Sequence, residues 1–417
     1  MLNKIFRQTA IPKEYHHNFL HLYFDIAWFG VLSGSTVNFL NVYATRIGAS
    51  GLQIGLIGAM SAIVNLLLAI PAGRWLEKRH LGRAMFWTAL FYRIGFLSFI
   101  FLPWLFNASG QITAIIAITF CMAIPLTPLG VGFSALFADA VPVEYRAHVA
   151  GIRNVMLSVT FMVTSLVSGR ILNQVIFPNG YQIVFIIGFI GAAMSTYHLY
   201  FIRPLVAGNK SLHTQPITAS TPQADSSRSL VSILRLDIWR TPYRVILLAL
   251  FGFHLAQYLA IPIFPIFNVR ELKLNDDQIG TGTALFYLTV FLGSTQLRNV
   301  VHRLGNKRVT GWGVVTMATY PILIAFSTNV WGFYFASIVG GFAWALAGGA
   351  YANYMLEHIP ADDRPPHLAW YNIMLNIAVL VGSLIGPAIA DQVGLFYALV
   401  IFGIMRFLAG TVILKWG

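Results

Sequence analysis

Residues 141–172, VPVEYRAHVAGIRNVMLSVTFMVTSLVSGRIL, recur at residues 359–390 as IPADDRPPHLAWYNIMLNIAVLVGSLIGPAIA, with a constant offset of 218 positions (359 minus 141) and no gap. Nine matched positions keep the same residue. They are Pro142, Arg146, Asn154, Met156, Leu157, Val163, Ser165, Leu166 and Ile171, which recur as Pro360, Arg364, Asn372, Met374, Leu375, Val381, Ser383, Leu384 and Ile389. Asp139 and Glu144 recur as the acids Glu357 and Asp362. A charged turn between two long apolar helices, present twice, is typical of transporters built from repeated helical bundles.

The composition indicates an all-α membrane protein. Hydrophobic residues make up 57% of the chain and charged residues only 10%, whereas soluble domains carry about 25% charged residues. Apolar stretches of about 20 residues, enough to cross a hydrocarbon core, follow one another along the chain, and their length favours helices over barrel strands. We predict twelve transmembrane helices in two pseudo-symmetric six-helix bundles, beginning near His17, Gln53, Ala84, Ile112, Val149, Tyr181, Val245, Gln278, Val309, Val330, Leu368 and Phe396.

The net charge of +13 is explained by membrane topology. With the N-terminus in the cytoplasm, 21 of the 27 Lys and Arg residues fall in cytoplasmic loops and chain ends, and six lie elsewhere: Arg46, Arg93, Arg170, Arg270, Lys273 and Arg406. This asymmetry follows the positive-inside rule, so the basic charge needs no nucleic-acid partner. We predict a protein of the plasma (inner) membrane with both termini cytoplasmic.

The polar composition of residues 207–225 marks a boundary near the middle of the chain. We predict a cytoplasmic N-terminal segment (1–16), an N-terminal six-helix bundle (17–203), a cytoplasmic linker (204–243) and a C-terminal six-helix bundle (244–417). Apolar and basic residues alternate at 230–240, which fits either a short amphipathic helix on the membrane surface or a plain connector. The first 15 residues lead into a full-length span, so no cleavable signal peptide is predicted.

Short loop sequences resemble those of the major facilitator superfamily. Residues 73–79, GRWLEKR, followed by Gly82 and Arg83, resemble the family's loop between helices two and three, and residues 303–308 are a degenerate second copy. Residues 139–146, DAVPVEYR, with Gly151 and Arg153, resemble the loop between helices four and five. The resemblance implies a cytoplasmic latch that stabilises an outward-open state, formed by Glu77, Lys78, Arg83, Asp139, Glu144, Arg146 and Arg153, with Glu357 and Arg364 in the second half. A role in topology alone is the alternative.

Four ionisable residues lie within predicted spans: Asp25, Arg93, His254 and Arg406. A charge at the centre of a span costs about 2.5 to 3.5 kcal/mol on insertion scales, so each one requires a reason. Asp25 and Arg93 lie at similar depth, which makes an ion pair possible. By the resemblance, helices one, four, seven and ten line a central cavity, which places Asp25 and His254 on opposite sides of it and makes Arg93 and Arg406 charge partners. We hypothesise that Asp25 couples transport to a proton or cation.

Amide and aromatic side chains supply the other cavity candidates, and they suit neutral or amphipathic solutes. These candidates are Trp28, Asn38, Asn41, Gln257, Tyr258, Trp344 and Asn353, together with Asn65, Asn154, Asn372 and Asn376. The alternative is structural, because amides also join helices by hydrogen bonds and Trp often lies at membrane interfaces.

Other functional classes find little support in the sequence. Cys121 is the only cysteine, and His17 with His21 lacks the further ligands of a metal site, so neither a metal nor a cofactor is predicted. A membrane-embedded enzyme lacks converging catalytic groups, while a non-transporting sensor or assembly factor stays open. Glycines in helices that would slide, Gly55, Gly58, Gly280, Gly282, Gly382 and Gly386, favour motion. We predict a monomeric secondary transporter of a small organic solute, or alternatively a multidrug or metabolite efflux transporter, with proton coupling, substrate and direction left open.

Overall fold

Twelve transmembrane helices form the protein, in a computed structural model that describes residues 13–203, 235–360 and 363–417. Ten helical segments in these ranges are long and apolar enough to cross a membrane. One of them, Asp276–Phe326, contains 51 residues and turns at Gly305 (φ 79°, ψ 158°), so it makes two crossings. The helix that begins at Lys13 makes the remaining crossing, and the predicted two-bundle architecture is confirmed.

The N-terminal half contains helices α1 to α6. Helix α1 comprises Lys13–Leu32, the π-helical stretch Ser33–Val37 and Asn38–Arg46. The others are α2 (Gly51–Glu77), α3 (Leu81–Leu105), α4 (Ala108–Ala140), α5 (Val143–Gln174) and α6 (Asn179–Tyr200).

The C-terminal half follows the short 3₁₀-helix Leu236–Arg240. Helix α7 comprises Tyr243–Ala260, Ile263–Ile266 and the π-helical stretch Phe267–Glu271. The others are α8 (276–304), α9 (306–326), α10 (Val330–Glu357), α11 (Arg364–Val393) and α12 (Leu395–Trp416). Most helices begin two to six residues earlier than hydropathy predicts, because helical structure extends past the hydrocarbon core into polar residues.

Buried apolar side chains form three clusters, one toward one end of the molecule and two toward the other end. We call the end with the α1–α2 and α7–α8 loops the outer end, and the opposite end, which holds both termini, the terminal end. One cluster lies toward the outer end and combines residues of both halves, for example Phe39 and Ile263. The other two lie toward the terminal end, one around Phe19 and Leu22 of the N-terminal half and one around Phe253 of the C-terminal half. In the part of the chain that the structure describes, the halves therefore share a buried apolar cluster only at the outer end.

The α1–α2 and α7–α8 loops have the same local structure. Ser50 and Gln53 form a capping box at the start of α2, and Asn275 and Gln278 form another at the start of α8. Just before each cap the backbone adopts a positive φ, at Gly48 (98°) and at Lys273 (51°). The duplication predicted from α5 and α11 thus extends to these loops.

An arginine at the end of the predicted linker anchors the 3₁₀-helix to α11. Arg235 donates to the Asp363 carboxylate at 2.9 Å and to Asp237 at 3.0 Å. Side-chain hydrogen bonds from Arg235 lower the pKa of Asp237. The rest of the predicted linker, residues 204–234, and the first twelve residues lie outside the described residues, as does Asp362.

Candidate functional site

Asp25 lies at the centre of a buried charge cluster in the N-terminal half. Its side chain is 3% exposed. The Oδ1 atom accepts hydrogen bonds from Ser195 at 2.6 Å and from Arg93 at 3.5 Å, while Oδ2 accepts from Arg153 at 3.3 Å. The pair of Asp25 with Arg93 that the sequence makes possible is therefore formed, and Arg153 is a second cation on the same carboxylate.

Arg153 lies inside the bundle instead of at the surface position that the latch requires. Its guanidinium donates to the Leu22 carbonyl at 2.6 Å and lies 4.9 Å from the centre of the Phe133 ring. Because one carboxylate faces two guanidinium groups, the cluster of Asp25, Arg93 and Arg153 keeps a net charge of +1 when all three are ionised.

The C-terminal half contains an uncharged counterpart of this cluster. Residues 24–27, FDIA, on α1 match residues 253–256, FHLA, on α7, and Arg153 recurs at the 218-residue offset as Tyr371. His254 is 5% exposed, and its Nε2 lies 3.0 Å from the Tyr371 hydroxyl. Both contacts join the first helix of a half to its fifth, so Asp25–Arg153 and His254–Tyr371 are repeat-related pairs.

Arg406 is buried in the C-terminal half without a carboxylate partner among the described residues. Its side chain donates to the carbonyls of Met317 at 3.2 Å and Gln257 at 3.4 Å. Pro321 has no N–H to bond the Met317 carbonyl four residues earlier, so Arg406 satisfies a group that the proline leaves free. Helix α9 is interrupted at Ala318, and Arg406 stabilises this interruption while retaining its own positive charge.

Ion pairs connect the halves at the outer end. Arg46 contacts Asp276 at 2.8 Å, and the Tyr181 hydroxyl donates to the same carboxylate at 2.9 Å. Arg170 contacts Asp277 at 3.2 Å. Arg46, Tyr181 and Asp276 line an open cavity of about 570 Å³. The sequence reasoning missed this interface, although the repeated Gln-Ile-Gly at 53–55 and 278–280 indicates that these helix starts are equivalent.

Helix contacts at the outer end repeat the same symmetry. A Cβ atom at Gly280 would lie 2.6 Å from the Ser165 carbonyl oxygen, and one at Gly55 would collide with the carbonyl oxygen of Ser383. Ser165 and Ser383 are themselves repeat-related. The α5–α8 and α2–α11 interfaces therefore close by the same backbone contact, which requires glycine.

A polar chain crosses between the halves at greater depth. Thr127 donates to Asn65 at 2.7 Å, and Asn65 donates to Asn376 at 3.3 Å. Within the N-terminal half, Asn38 on α1 donates to Ser165 on α5 at 3.1 Å.

The remaining predicted cavity residues differ in burial. The side-chain oxygens of Asn41 and Gln257 are buried without a hydrogen-bond partner. Trp28, Tyr258 and Trp344 are half-buried, and Asn353 is exposed.

The predicted latch residues do not bridge the halves in the described part of the structure. Glu77, Lys78, Arg83, Glu144 and Arg364 are exposed, and Asp139 is half-buried. Arg146 donates to the Ala138 and Val141 carbonyls within its own half, and Glu357 accepts from Asn306 on the neighbouring helix. Among the described residues, the latch residues of the two halves are therefore not in contact at the terminal end, whereas the halves are joined at the outer end.

No group of three or more His, Cys, Asp or Glu side chains that could hold a metal occurs among the described residues. His21, which the sequence pairs with His17, has its Nδ1 atom 2.9 Å from the Nδ1 atom of His198.

A family model described as Major Facilitator Superfamily matches residues 26–258 and 246–416. The chain is 23% identical over 297 residues to the cis,cis-muconate transport protein of Acinetobacter baylyi (strain ATCC 33305 / BD413 / ADP1), covering 70% of this chain and 69% of that one. It is 24% identical over 148 residues to Multidrug resistance protein 2 of Bacillus subtilis (strain 168), which is 36% of either chain.

Solved structures share the fold at low identity. A bacterial homologue of the iron transporter ferroportin in an inward-facing state superposes with a TM-score of 0.72 at 12% identity, over 98% of this chain and 99% of that one. The nucleoside transporter NupG superposes with a TM-score of 0.65 at 12% identity, over 97% and 99%.

Proposed function

Because the chain belongs to the major facilitator superfamily, we propose that it carries a small organic solute across the plasma (inner) membrane by alternating access. The chain is a solute transporter and not an enzyme, since the family and the relatives it matches are transporters. The separate clusters at the terminal end and the shared cluster at the outer end support alternating access, because such a division lets two rigid halves rock.

The orientation follows from the charge asymmetry of the loops. With both termini cytoplasmic, the joined outer end faces outward and the divided terminal end opens to the cytoplasm. With this orientation the joined outer end and divided terminal end support an inward-open state, and we propose that the protein works as a monomer. The latch residues would meet only in the opposite, outward-open state, which agrees with their separation here.

Three solute classes deserve testing because relatives carry them or are named for them. The muconate transport protein supports an organic acid, the multidrug resistance protein supports a drug-like efflux substrate, and the structural neighbour NupG is a nucleoside transporter. The higher coverage of the muconate relative makes an organic acid our first choice, and efflux of a drug-like compound the second.

Entrance counterflow in proteoliposomes is the decisive assay, because it reports exchange through a carrier without any driving ion. Vesicles are loaded with unlabelled cis,cis-muconate, uridine or a hydrophobic cationic dye and diluted into the labelled compound. We expect transient, saturable accumulation of one class, absent from protein-free vesicles. A solute that raises the melting temperature without counterflow would instead support a sensor.

A further inference from the structure

The interior of the C-terminal half contains a cluster of uncharged proton-exchanging groups contributed by three helices. His254 of α7 contacts the Tyr371 hydroxyl of α11 at 3.0 Å. Tyr351 of α10 has its ring centre 5.7 Å from that of His254 and interacts with Tyr371. Histidine is the side chain whose ordinary charge change falls between pH 5 and 8, and tyrosine hydroxyls donate hydrogen bonds to anionic oxygens.

Among the residues that the structure describes, none around His254 supplies a negative charge to stabilise its protonated form. Tyr351 faces it from α10 and Tyr371 from α11, while α12 brings Arg406, which binds the carbonyl of Gln257 three residues away. The 3₁₀-helix that also packs on α7 carries Asp237, whose partner is Arg235. Among the described residues, no Asp or Glu contacts His254. A proton on His254 therefore adds an uncompensated cation to the buried interior of the half that already contains Arg406.

Comparison of the contacts of the repeat-related residues Asp25 and His254 favours His254 as the proton-binding residue. Asp25 is engaged by two guanidinium groups and a hydroxyl, whereas its counterpart His254 has, among the described residues, one side-chain hydrogen bond, to the neutral Tyr371 hydroxyl. Counting ionised groups, the cluster around Asp25 leaves one positive charge and Arg406 leaves another. Within the described ranges, the buried interior of each half thus carries one positive charge that no carboxylate neutralises, which favours an anion over a cation as the bound solute.

From this arrangement, we propose that the His254–Tyr371–Tyr351 cluster binds the carboxylate of an organic acid together with one proton carried on His254. The proposal rests on the transport function proposed above and specifies its substrate class and coupling ion. The anion compensates the protonated imidazole, and the imidazolium and tyrosine hydroxyls hold the anion. Neither binds well alone, so one proton crosses with each carboxylate and leaves with it on the other side.

The test uses full-length protein in proteoliposomes with 4-hydroxybenzoate and succinate as probes and their neutral amides as matched comparisons. We expect both counterflow and accumulation driven by an inward proton gradient for at least one acid and neither for its amide. His254→Gln should abolish gradient-driven accumulation, while counterflow should persist only with a raised KM for the acid, because the tyrosine hydroxyls then bind the carboxylate without the imidazolium. Tyr371→Phe should raise KM for the acid about 10- to 100-fold, because a hydrogen bond to a charged group is lost. His302→Gln, at an exposed position on α8, should behave as the wild type.

Each other outcome has a definite meaning. Unchanged gradient-driven accumulation in His254→Gln, or acid transport that ignores the proton gradient, would overturn the proposed coupling. Counterflow confined to nucleosides, amides or cationic dyes would overturn the acid substrate while leaving the transport function standing. Absence of counterflow with solutes of every charge would reject the transport function and this proposal together.

Discussion

At the scale of single residues, the main energetic problem is the cost of ionised side chains away from water. Asp25, Arg93 and Arg153 meet this cost by sharing hydrogen bonds, and Ser195 adds a neutral donor to the same carboxylate. Removing one member of a buried pair is expensive because the remaining charges lose compensation without regaining water. Ion pairs at the exposed outer surface lack this dependence, since water replaces the missing partner.

Asp25→Asn should therefore destabilise the protein strongly. The substitution leaves Arg93 and Arg153 buried without a carboxylate, and we expect a loss of about 3 to 5 kcal/mol in unfolding free energy. The matched control is Asp277→Asn, which removes the partner of Arg170, a side chain that is 67% exposed, and should cost less than about 1 kcal/mol. Thermal melting of both variants in detergent compares them directly. Equal melting temperatures would contradict a structural role for the Asp25 cluster.

At the scale of helices, closure of the outer end depends on close backbone contacts. Gly55 of α2 meets Ser383 of α11, and Gly280 of α8 meets Ser165 of α5. Gly58 lies on the same helix as Gly55, but a Cβ there would lie 3.6 Å from the Ser383 hydroxyl, an ordinary contact distance. The two glycines of α2 therefore differ in the space available for a side chain, although they lie three residues apart.

Gly55→Ala should slow transport, and Gly58→Ala should not. The methyl group at position 55 opposes outer closure by about 1 to 3 kcal/mol, the usual cost of overpacking, while leaving each half intact. The initial rate of counterflow with the solute found by the screen measures the effect, and melting temperature confirms folding. A normal rate in Gly55→Ala would show that α2 and α11 need not approach this closely during the cycle.

The sequence predicts the helices better than it predicts their partners, for a physical reason. The length and hydropathy of a helix are properties of a local stretch of sequence, so the twelve spans can be predicted from them, and the repeated residues indicate the duplication. Arg153 illustrates the limit. Its motif places it near a loop, yet it lies ten residues into α5, about 15 Å along the helix from Val143, where it reaches Asp25. The π-helical stretch Ser33–Val37 contains no proline, and the ion pair of Arg46 with Asp276 depends on a distance between halves that no local pattern encodes.

At the scale of the whole molecule, the two ends differ in how the halves are joined. The outer end combines a shared apolar cluster with glycine contacts and ion pairs, whereas the terminal end has two separate clusters. The free-energy difference between the inward-open and outward-open states is then set by the contacts broken at one end and the contacts formed at the other. A change of about 1.4 kcal/mol in either set shifts the ratio of states tenfold.

Asp276→Asn should shift this balance toward the outward-open state. Asp276 accepts from both Arg46 and Tyr181 and has a side chain only 9% exposed, so its loss weakens two contacts between α1, α6 and α8. We expect a change of about 1 to 3 kcal/mol, the cost of leaving a partly buried group unpaired. Spin labels report the separation in a Cys121→Ser background, at Ser109→Cys, an exposed site at the outer start of α4, and at Thr328→Cys, an exposed site in the α9–α10 loop. Pulsed electron resonance should show a longer distance gaining population in Asp276→Asn and little change in Asp277→Asn. An unchanged distribution would mean that the apolar cluster and glycine contacts hold the outer end closed without the ion pair.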